Sequence, residues 1–408
     1  MKKCNRFANN KRLSMDKFIP LSIPNFVGNE RKYVDDAIEL GWVSTGGAFI
    51  TRFEKELAEY LCVDNVVACQ SGTSAIHLSL VELGICAGDI VLVPALTFIA
   101  AVNPVKYQFA TPVFIDCDDS LCIDPYKLHT FCEEECKWDG KILKFKQSVV
   151  KAIVVVHVFG NMADMEMIMS IAEKYNIKVI EDATEALGTV YTAGRYKGKY
   201  AGTIGDFGCF SFNGNKIITT GGGGALTSNN IKAVDHVRFL STQAKTDPYY
   251  YIHDEVGYNY RMTNIQAALG VAQLENLSEF IKRKNTNYEI YREEFTEFNY
   301  AKLMTFRNNT YSNKWFYSLM IDRSYIRNDM KEIITALKKK GIQVRTIWGL
   351  INEQIPYKDC STYKLEKAYY YADGIINIPC STNISINEIK YVAVRIKELL
   401  KELADAGE

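Results

Sequence analysis

The chain alternates short runs of β-branched residues with helix-like segments from Val66 onward, and this alternation restricts the fold more than any other feature. It is typical of βαβ units, in which a buried parallel sheet is covered by helices on both faces. The predicted strands are Val66–Cys69, Ile90–Pro94, Thr111–Asp116, Ala152–Val158 and Lys178–Asp182, and the predicted helices are Ser74–Leu83 and Met165–Tyr175. We therefore expect a doubly wound α/β domain with a mostly parallel central sheet.

The pattern changes after Gly257, and a chain of 408 residues is long enough for more than one domain. The sequence predicts a helix at Asn264–Leu277, an antiparallel strand at Trp315–Ile321, and a helix at Asp329–Lys340 that Gly341 ends. We expect a disordered lead-in at 1–18, a large domain at 19–265 and a smaller α+β domain at 266–408.

The composition excludes several classes of protein. Hydrophobic residues make up 48% and charged residues 24%, as in globular proteins and unlike disordered chains or membrane bundles. Lys plus Arg and Asp plus Glu are 48 each, so the overall charge favours neither nucleic acid nor a membrane as partner. The eleven cysteines contain no CxxC pair, which favours reduced thiols in a cytoplasmic protein. We expect no metal site, because His129, Cys132 and Cys136 lack an apparent fourth ligand.

Two predicted strand ends carry candidate ligand-binding groups. Ser71-Gly72-Thr73 forms a small-residue turn into a helix, which suits a phosphate, although Ser and Thr also favour ordinary helix caps. Glu181 and Asp182 end an apolar strand, at the edge where ligands bind in open α/β sheets. A buried carboxylate is costly unless a cation meets it. Asp182 is therefore either the partner of a protonated ring nitrogen or an arginine, or a plain capping residue.

Lys216 follows Ser211-Phe212-Asn213 and precedes four glycines, in a segment with little other charge. Such a lysine is easily desolvated, which favours the neutral amine that Schiff-base chemistry needs. A P-loop is excluded because no GxxxxGK[ST] occurs, and Asp206-Phe207-Gly208 is no kinase signature without an HRD motif. Taken alone, Lys216 is better interpreted as a surface lysine near a flexible glycine loop. Together, the phosphate cradle, the strand-end carboxylate and the lysine match the parts of a pyridoxal phosphate (PLP) site.

Motifs along nearly the whole chain, from about Ile19, resemble those of one family. They are Gly41-Trp42-Val43-Ser44-Thr45-Gly46, Phe53-Glu54, Ser71 to Ala75, Leu96-Thr97-Phe98, Glu181-Asp182-Ala183, Gly205 to Gly208, Ser211 to Lys216, and Gly257 to Met262. In this order they resemble the DegT/DnrJ/EryC1/StrS sugar aminotransferases. Within that family, the chain is most similar to enzymes that aminate C4 of UDP-linked 4-keto-6-deoxy-N-acetylhexosamines, on routes to bacillosamine or legionaminic acid.

The resemblance implies the PLP-dependent aminotransferase fold type I and a homodimer whose sites use both subunits. It implies that Lys216 binds the cofactor covalently and moves the proton, while Asp182 pairs with the ring nitrogen. The other implied cofactor contacts are Gly72, Thr73 and Ser211 at the phosphate, Phe98 stacked on the ring, Glu185, and Asn259 from the partner subunit. The implied substrate contacts are Ser44, Thr45, Gly46, Gly47, Asn259, Arg345, Thr346 and Trp348.

Two residues have open roles. Many relatives carry Gln or His at the position of Glu185. A carboxylate at this position would face either the phenolic oxygen of the cofactor or the substrate, so the role of Glu185 is undecided. His157 ends a predicted strand and is interpreted as a core histidine rather than as a contact to cofactor or substrate.

The predicted activity is transfer of an amino group, with glutamate as the expected donor and 2-oxoglutarate as its product, to the keto carbon of a nucleotide-linked sugar. The cycle is ping-pong and passes through pyridoxamine phosphate, because one cofactor serves both half-reactions. A sugar dehydrase is an alternative, but relatives of that type carry histidine in place of the lysine. A non-catalytic regulator or scaffold is a third possibility, and it predicts loss of Lys216 or Asp182, both of which are present.

Overall fold

A computed structural model describes residues 18–406, so the predicted lead-in lies almost wholly outside the described residues. The helices are α1 Glu30–Glu39, α2 Ala48–Leu61, α3 Gly72–Glu82, α4 Asn103–Tyr107, α5 Pro125–Glu134, α6 Met165–Tyr175, α7 Ile231–Ser241, α8 Asn264–Leu274, α9 Leu277–Phe295, α10 Met330–Lys339, α11 Glu366–Gly374 and α12 Ile386–Asp405. The strands are β1 Val66–Cys69, β2 Ile90–Pro94, β3 Thr111–Ile115, β4 Cys136–Trp138, β5 Leu143–Phe145, β6 Ser148–Val156, β7 Lys178–Asp182, β8 Val190–Tyr191, β9 Phe207–Ser211, β10 Gly224–Thr227, β11 Lys245–Asp247, β12 Ile252–His253, β13 Ala301–Leu303, β14 Thr310–Tyr311, β15 Tyr317–Ile321, β16 Arg345–Thr346, β17 Thr362–Tyr363 and β18 Ile375–Ile378.

The large sheet follows the order β1-β10-β9-β7-β6-β2-β3-β17. All of these strands run parallel except β10, which is antiparallel to both of its neighbours. The carboxyl ends of the parallel strands therefore meet at one edge, where Cys69, Asp182 and Ser211 end β1, β7 and β9. Gly224 begins β10 at the same edge, paired with Cys69 and Ser211. The predicted α/β fold with a mostly parallel sheet is confirmed.

Helix α3 begins at this edge and approaches the strand ends closely. Ser71 caps it, because Ser71 Oγ accepts the amide N–H of Ser74 at 3.0 Å. A Cβ atom at Gly72 would lie 2.6 Å from Cγ2 of Thr184. Glycine is thus required there by packing, and the first turn of α3 sits directly beside the end of β7.

The second sheet is antiparallel and follows the order β13-β15-β18-β16. Helices α9 and α12 pack against each other, and α10 packs on α12. Helix α8 packs instead on α1 and α2. The helix predicted at Asn264–Leu277 therefore ends early, at Leu274, and α9 begins at Leu277 with different neighbours. The amino-terminal segment also joins this part of the chain, because Ile19 pairs with Ile342. The division of the chain at residue 265 remains our proposal.

Two strands near the site differ from the prediction at one end. Strand β6 ends at Val156, because the chain turns at Val158–Gly160 and places Phe159 at φ 56°. Strand β15 begins at Tyr317 rather than Trp315, because the Trp315 amide donates to Oδ1 of Asn313 at 3.0 Å.

Helices cover both faces of the large sheet, and its strands are accordingly buried. Every residue of β1, β2 and β10 is buried. Within residues 18–406, no helix is long and apolar enough to cross a membrane. The cysteines at the described positions are all unpaired.

Candidate active site

A cavity of about 540 Å³ opens at the carboxyl edge of the large sheet. This volume lies within the range of small-molecule sites, about 300–1,000 Å³. Its walls come from the start of α3, from the ends of β7 and β9, and from the segments around Trp315 and Arg345. Residues from both sheets therefore enclose one space.

Lys216 lines this cavity with its amine between an acid and an aromatic ring. Nζ lies 3.6 Å from Oε1 of Glu185 and 4.0 Å from the centre of the Trp315 ring. The Lys216 side chain is 12% exposed, so the amine is largely shielded from bulk water while it still faces the cavity. This placement suits the reactive lysine that the sequence predicts.

Asp182 ends β7 and is buried in the cavity wall. Its Oδ1 accepts the amide N–H of Thr184 at 3.1 Å. Burial raises the pKa of the Asp182 carboxyl, while hydrogen bonds from Thr184 and the charge of Lys216 act in the opposite direction. Such a carboxylate is stabilised by a charged N–H group placed against it. Asp182 therefore fits a protonated ring nitrogen.

Glu185 lies beside the Lys216 amine. Its Oε2 accepts the amide N–H of Phe159 at 2.8 Å, and the left-handed conformation of Phe159, which non-glycine residues rarely adopt, belongs to the same turn. Burial raises the pKa of Glu185 to about 7, opposed by Lys216 and by the Phe159 hydrogen bond. Glu185 can thus hold or release a proton near neutral pH beside the lysine.

The start of α3 forms a candidate phosphate cradle. The first amides of a helix have no partner within it, so Gly72 and Thr73 can present N–H groups to an anion. Ser211 lies alongside, because a Cβ atom at Gly72 would be 3.1 Å from Cβ of Ser211. All three residues line the cavity, and the dipole of α3 adds positive potential at this end.

His157 lies outside the cavity lining and is fully buried. Its Nδ1 accepts the amide N–H of Ala163 at 3.1 Å, so Nε2 carries the proton and donates to Glu181 Oε2 at 2.9 Å. The Glu181 carboxylate also accepts the amides of Gly202, Ile204 and Gly205. The structure thus supports the interpretation of His157 as a core histidine with satisfied hydrogen bonds.

The structure brings most of the predicted site residues together in one chain. The cavity is lined by Gly72, Thr73, Phe98, Asp182, Glu185, Ser211, Lys216, Arg345, Thr346 and Trp348. Ser44, Thr45, Gly46, Gly47 and Asn259 do not line it.

The predicted residues outside the cavity lie at the surface. Asn259 is exposed, and its Oδ1 accepts a hydrogen bond from Nε2 of Gln243 at 3.0 Å. The loop of Ser44 to Gly47 is held by Asn264, whose amide N–H donates to the Ser44 carbonyl at 2.6 Å. The roles proposed for these residues therefore require a second subunit.

Several residues that line the cavity were not predicted as site residues, and Thr97 and Trp315 are two of them. The Thr97 hydroxyl is buried and has no hydrogen-bond partner within residues 18–406. Its motif, Leu96-Thr97-Phe98, was the signal that could have identified it. Trp315 offered no such signal, because an aromatic residue in an alternating segment is typical of core.

The residues present fit PLP. The start of α3 suits the phosphate, the buried Asp182 suits the ring nitrogen, and the Lys216 amine suits the aldehyde. The unpartnered Thr97 hydroxyl supplies a further polar group to a ligand in the same space.

Comparisons with known proteins show which proteins this chain resembles. The family model described as the DegT/DnrJ/EryC1/StrS aminotransferase family matches residues 25–397. GDP-perosamine synthase of Escherichia coli O157:H7 is 34% identical over 393 residues, which covers 95% of this chain and 100% of that protein. The UDP-4-amino-4,6-dideoxy-N-acetyl-beta-L-altrosamine transaminase of Campylobacter jejuni subsp. jejuni serotype O:23/36 (strain 81-176) is 30% identical over 364 residues, covering 88% of this chain and 92% of that protein. The solved structure of Helicobacter pylori PseC, an aminotransferase involved in the biosynthesis of pseudoaminic acid, has the same fold, with a TM-score of 0.85 at 22% identity over 95% of this chain and 100% of that one.

Proposed function

Because the chain belongs to the DegT/DnrJ/EryC1/StrS aminotransferase family, we propose that it transfers an amino group from glutamate to C4 of a nucleotide-linked 4-keto-6-deoxy sugar. The protein is a PLP-dependent sugar aminotransferase, while the nucleotide, the sugar and the donor are our proposals. The observation that carries the amino-transfer chemistry is the placement of the Lys216 amine in one cavity with the buried Asp182 and the start of α3.

Each residue has a distinct task in this proposal. When bound, PLP supplies an aldehyde for amines and a ring that accepts electrons from the reacting carbon. With PLP bound, Asp182 would accept the hydrogen bond of the ring nitrogen and keep it protonated, while Gly72, Thr73 and Ser211 would hold the phosphate. Lys216 moves the proton with its Nζ atom. General acid–base catalysis requires this atom to lie within hydrogen-bond distance of the reacting atom.

The substrate end of the cavity is formed by Arg345, Thr346 and Trp348. Arg345 and Thr346 are exposed, so this end is open to solvent and can admit a large ligand. A guanidinium group is suited to a diphosphate, because it donates several hydrogen bonds in a fixed plane. These features support a nucleotide-linked sugar that enters from this side.

The site also has a place for a second subunit. Ser44 to Gly47 and Asn259 lie outside the cavity of their own chain, as expected if each subunit lends them to its partner in a homodimer. We further propose that the protein works in the cytoplasm, a compartment that suits its unpaired cysteines.

Two other activities are less well supported. A sugar dehydrase would lack the lysine, yet Lys216 lines the cavity beside Glu185. A scaffold without catalysis would have no need to keep a buried carboxylate and a lysine in the same space. The placement of Lys216 and Asp182 therefore favours transamination.

The nucleotide has two candidates. We propose a UDP-linked N-acetylhexosamine first, on the strength of the motifs around Asp182 and Lys216, with a relative named for a UDP-linked substrate in support. A GDP-linked sugar is the second candidate, because the relative named GDP-perosamine synthase is the more similar of the two.

A panel of 4-keto-6-deoxy sugars linked to UDP, GDP and dTDP tests this proposal. Each sugar is incubated with the PLP-loaded protein and glutamate, and the amino sugar and 2-oxoglutarate are measured by mass spectrometry. We expect the highest kcat/KM with the UDP-linked N-acetylhexosamine. Turnover with the GDP or dTDP sugars alone would overturn the choice of UDP, and no amino sugar from any of them would overturn the whole substrate class.

Borohydride reduction separates cofactor binding from substrate choice. We expect a pyridoxyl group on the peptide that contains Lys216, and none after Lys216→Ala. A reduced group on another lysine would show that the assignment of Lys216 is wrong, whichever sugar the enzyme accepts.

A further inference from the structure

The Trp315 ring has a contact with Lys216 that the proposed chemistry does not explain. Nζ of Lys216 lies 4.0 Å from the ring centre, well within the distance of about 6 Å at which an ammonium group is attracted to an aromatic face. We propose that Trp315 is a positioning residue, whose indole face docks the ammonium group of Lys216 whenever this lysine is not bonded to the cofactor.

The Trp315 ring is fixed by hydrogen bonds at its edge and on its backbone. Its Nε1–H donates to the carbonyl of Asn215, the residue before Lys216, at 2.7 Å. Its amide N–H donates to Asn313 Oδ1 at 3.0 Å, and its carbonyl accepts the amine of Lys284 at 2.6 Å. Rotation of the indole would break the bond to the lysine loop, so the ring and the loop keep one arrangement.

Two aromatic side chains also contact the same ring. Phe316 stacks against Trp315 with centres 4.0 Å apart and planes 7° from parallel. The Phe159 ring packs with its centre 6.1 Å from that of Trp315 and its plane tilted by 46°. The indole is therefore a rigid surface rather than a mobile side chain that happens to touch Lys216.

The docking site favours the charged form of the amine. An aromatic face attracts an ammonium group and has little attraction for a neutral amine. Glu185 Oε1, at 3.6 Å, adds a second favourable partner when it is ionised. The arrangement would retain the proton-carrying lysine beside the reacting atoms after it leaves the cofactor. The retention of Lys216 beside the reacting atoms rests on the proposed function, whereas the contact between its ammonium group and the Trp315 ring does not.

The test measures the reactivity of Lys216 in the full chain freed of cofactor. Acetic anhydride reacts with neutral amines only, so competitive labelling at about pH 8, followed by peptide mass spectrometry, reports how strongly the ammonium form is held. We expect Lys216 of Trp315→Leu to be labelled about fivefold faster than in the wild type, the change expected for a cation–aromatic contact that faces an open cavity. Trp315→Phe keeps an aromatic face, so it should restore most of the protection.

A matched control separates docking from simple opening of the cavity. Ile76 lines the same cavity, so Ile76→Ala enlarges it without removing the ring that contacts Lys216, and the labelling of Lys216 in this variant should stay near the wild-type rate. The effect of Trp315→Leu should also vanish at about pH 12, where lysine amines are almost entirely neutral. Equal labelling of wild type and Trp315→Leu at pH 8, or an excess that persists at pH 12, would overturn the proposal. A failed sugar panel would leave these labelling rates unchanged.

Discussion

Asp182 and Glu185 are two neighbouring carboxyl groups with different hydrogen-bond partners. Both are buried and line one cavity. Asp182 accepts a hydrogen bond from the Thr184 amide, whereas Glu185 accepts one from the Phe159 amide and faces the Lys216 amine. Burial raises the pKa of both groups, that of Glu185 to about 7. The proton of Glu185 therefore changes near neutral pH, beside the Lys216 amine.

Glu185→Gln should therefore change how stability depends on pH. Burial raises the pKa of Glu185 from 4.5 to about 7, so the folded protein keeps a proton that the unfolded chain releases. The stabilisation from this group is complete below about pH 4.5 and is lost as the pH rises through 7, by at most about 3 kcal/mol. The free energy of unfolding, measured with urea on cofactor-free protein, should fall more steeply with pH in the wild type than in Glu185→Gln.

Glu297 provides the control for this experiment, because it is an exposed glutamate. Glu297→Gln should shift the unfolding free energy by nearly the same amount at pH 5 and pH 8. Parallel pH profiles for the wild type and Glu185→Gln would mean that the Glu185 carboxyl is not held in its protonated form by burial.

At the residue scale, the sequence identified the groups that belong to contiguous motifs. Asp182 ends an apolar strand, and Lys216 stands in a segment with little charge, so both were predicted from local sequence. Trp315 and the left-handed Phe159 were not, because their roles depend on contacts between distant parts of the chain. Propensity and periodicity carry no information on such contacts.

Helix α9 carries a buried lysine that joins the second sheet. Lys284 is 2% exposed, and its Nζ donates to the carbonyl oxygens of Trp315 and Cys380. Burial lowers the pKa of Lys284, and its hydrogen-bond partners are neutral carbonyls. Its amine thus links α9 to Trp315, just before β15, and to Cys380, just after β18.

Lys284→Met should destabilise the protein by about 1–3 kcal/mol, because a side chain of similar length leaves two buried carbonyl oxygens without their donor. The substitution also removes the free-energy cost of burying an amine, which favours the variant. We expect the cost of the unsatisfied carbonyl groups to be the larger of the two. The measurement is the free energy of unfolding in urea. Lys282→Met, at an exposed position on the same helix, should change it by no more than about 0.5 kcal/mol. A Lys284→Met variant as stable as the wild type would show that the buried amine costs as much as its hydrogen bonds contribute.

At the element scale, the sequence predicted best the strands with a buried apolar run. Strands β1, β2 and β7 have the predicted ends. Every residue of β1 and β2 is buried, and in β7 every residue except Lys178 is buried. The start of β15 and the end of the helix predicted from Asn264 differ from the prediction. There, a hydrogen bond from the Trp315 amide to Oδ1 of Asn313 and a change of packing neighbours decide where the elements begin and end, and neither leaves a local signal.

For the whole molecule, the central proposal is that two subunits build each site. Asn259 is exposed and outside the cavity of its own chain, whereas Lys216 and Asp182 line that cavity. Lys216→Ala and Asn259→Ala should each lose most activity as homodimers. A heterodimer of the two variants should regain it, because one of its sites receives Lys216 from one subunit and Asn259 from the other, both unchanged.

The heterodimer of Lys216→Ala with Asp182→Asn is the matched control, because both residues line the cavity of a single chain. Each of its sites carries one defect, so no activity should return. Heterodimers are isolated with two affinity tags and assayed for amino-sugar formation. Rescue in the first pair and none in the second would place Asn259 across the interface. If activity does not return in the first pair, Asn259 acts within its own subunit or has a structural role. The solvent-exposed end of the cavity would then need an explanation other than a residue from the partner subunit.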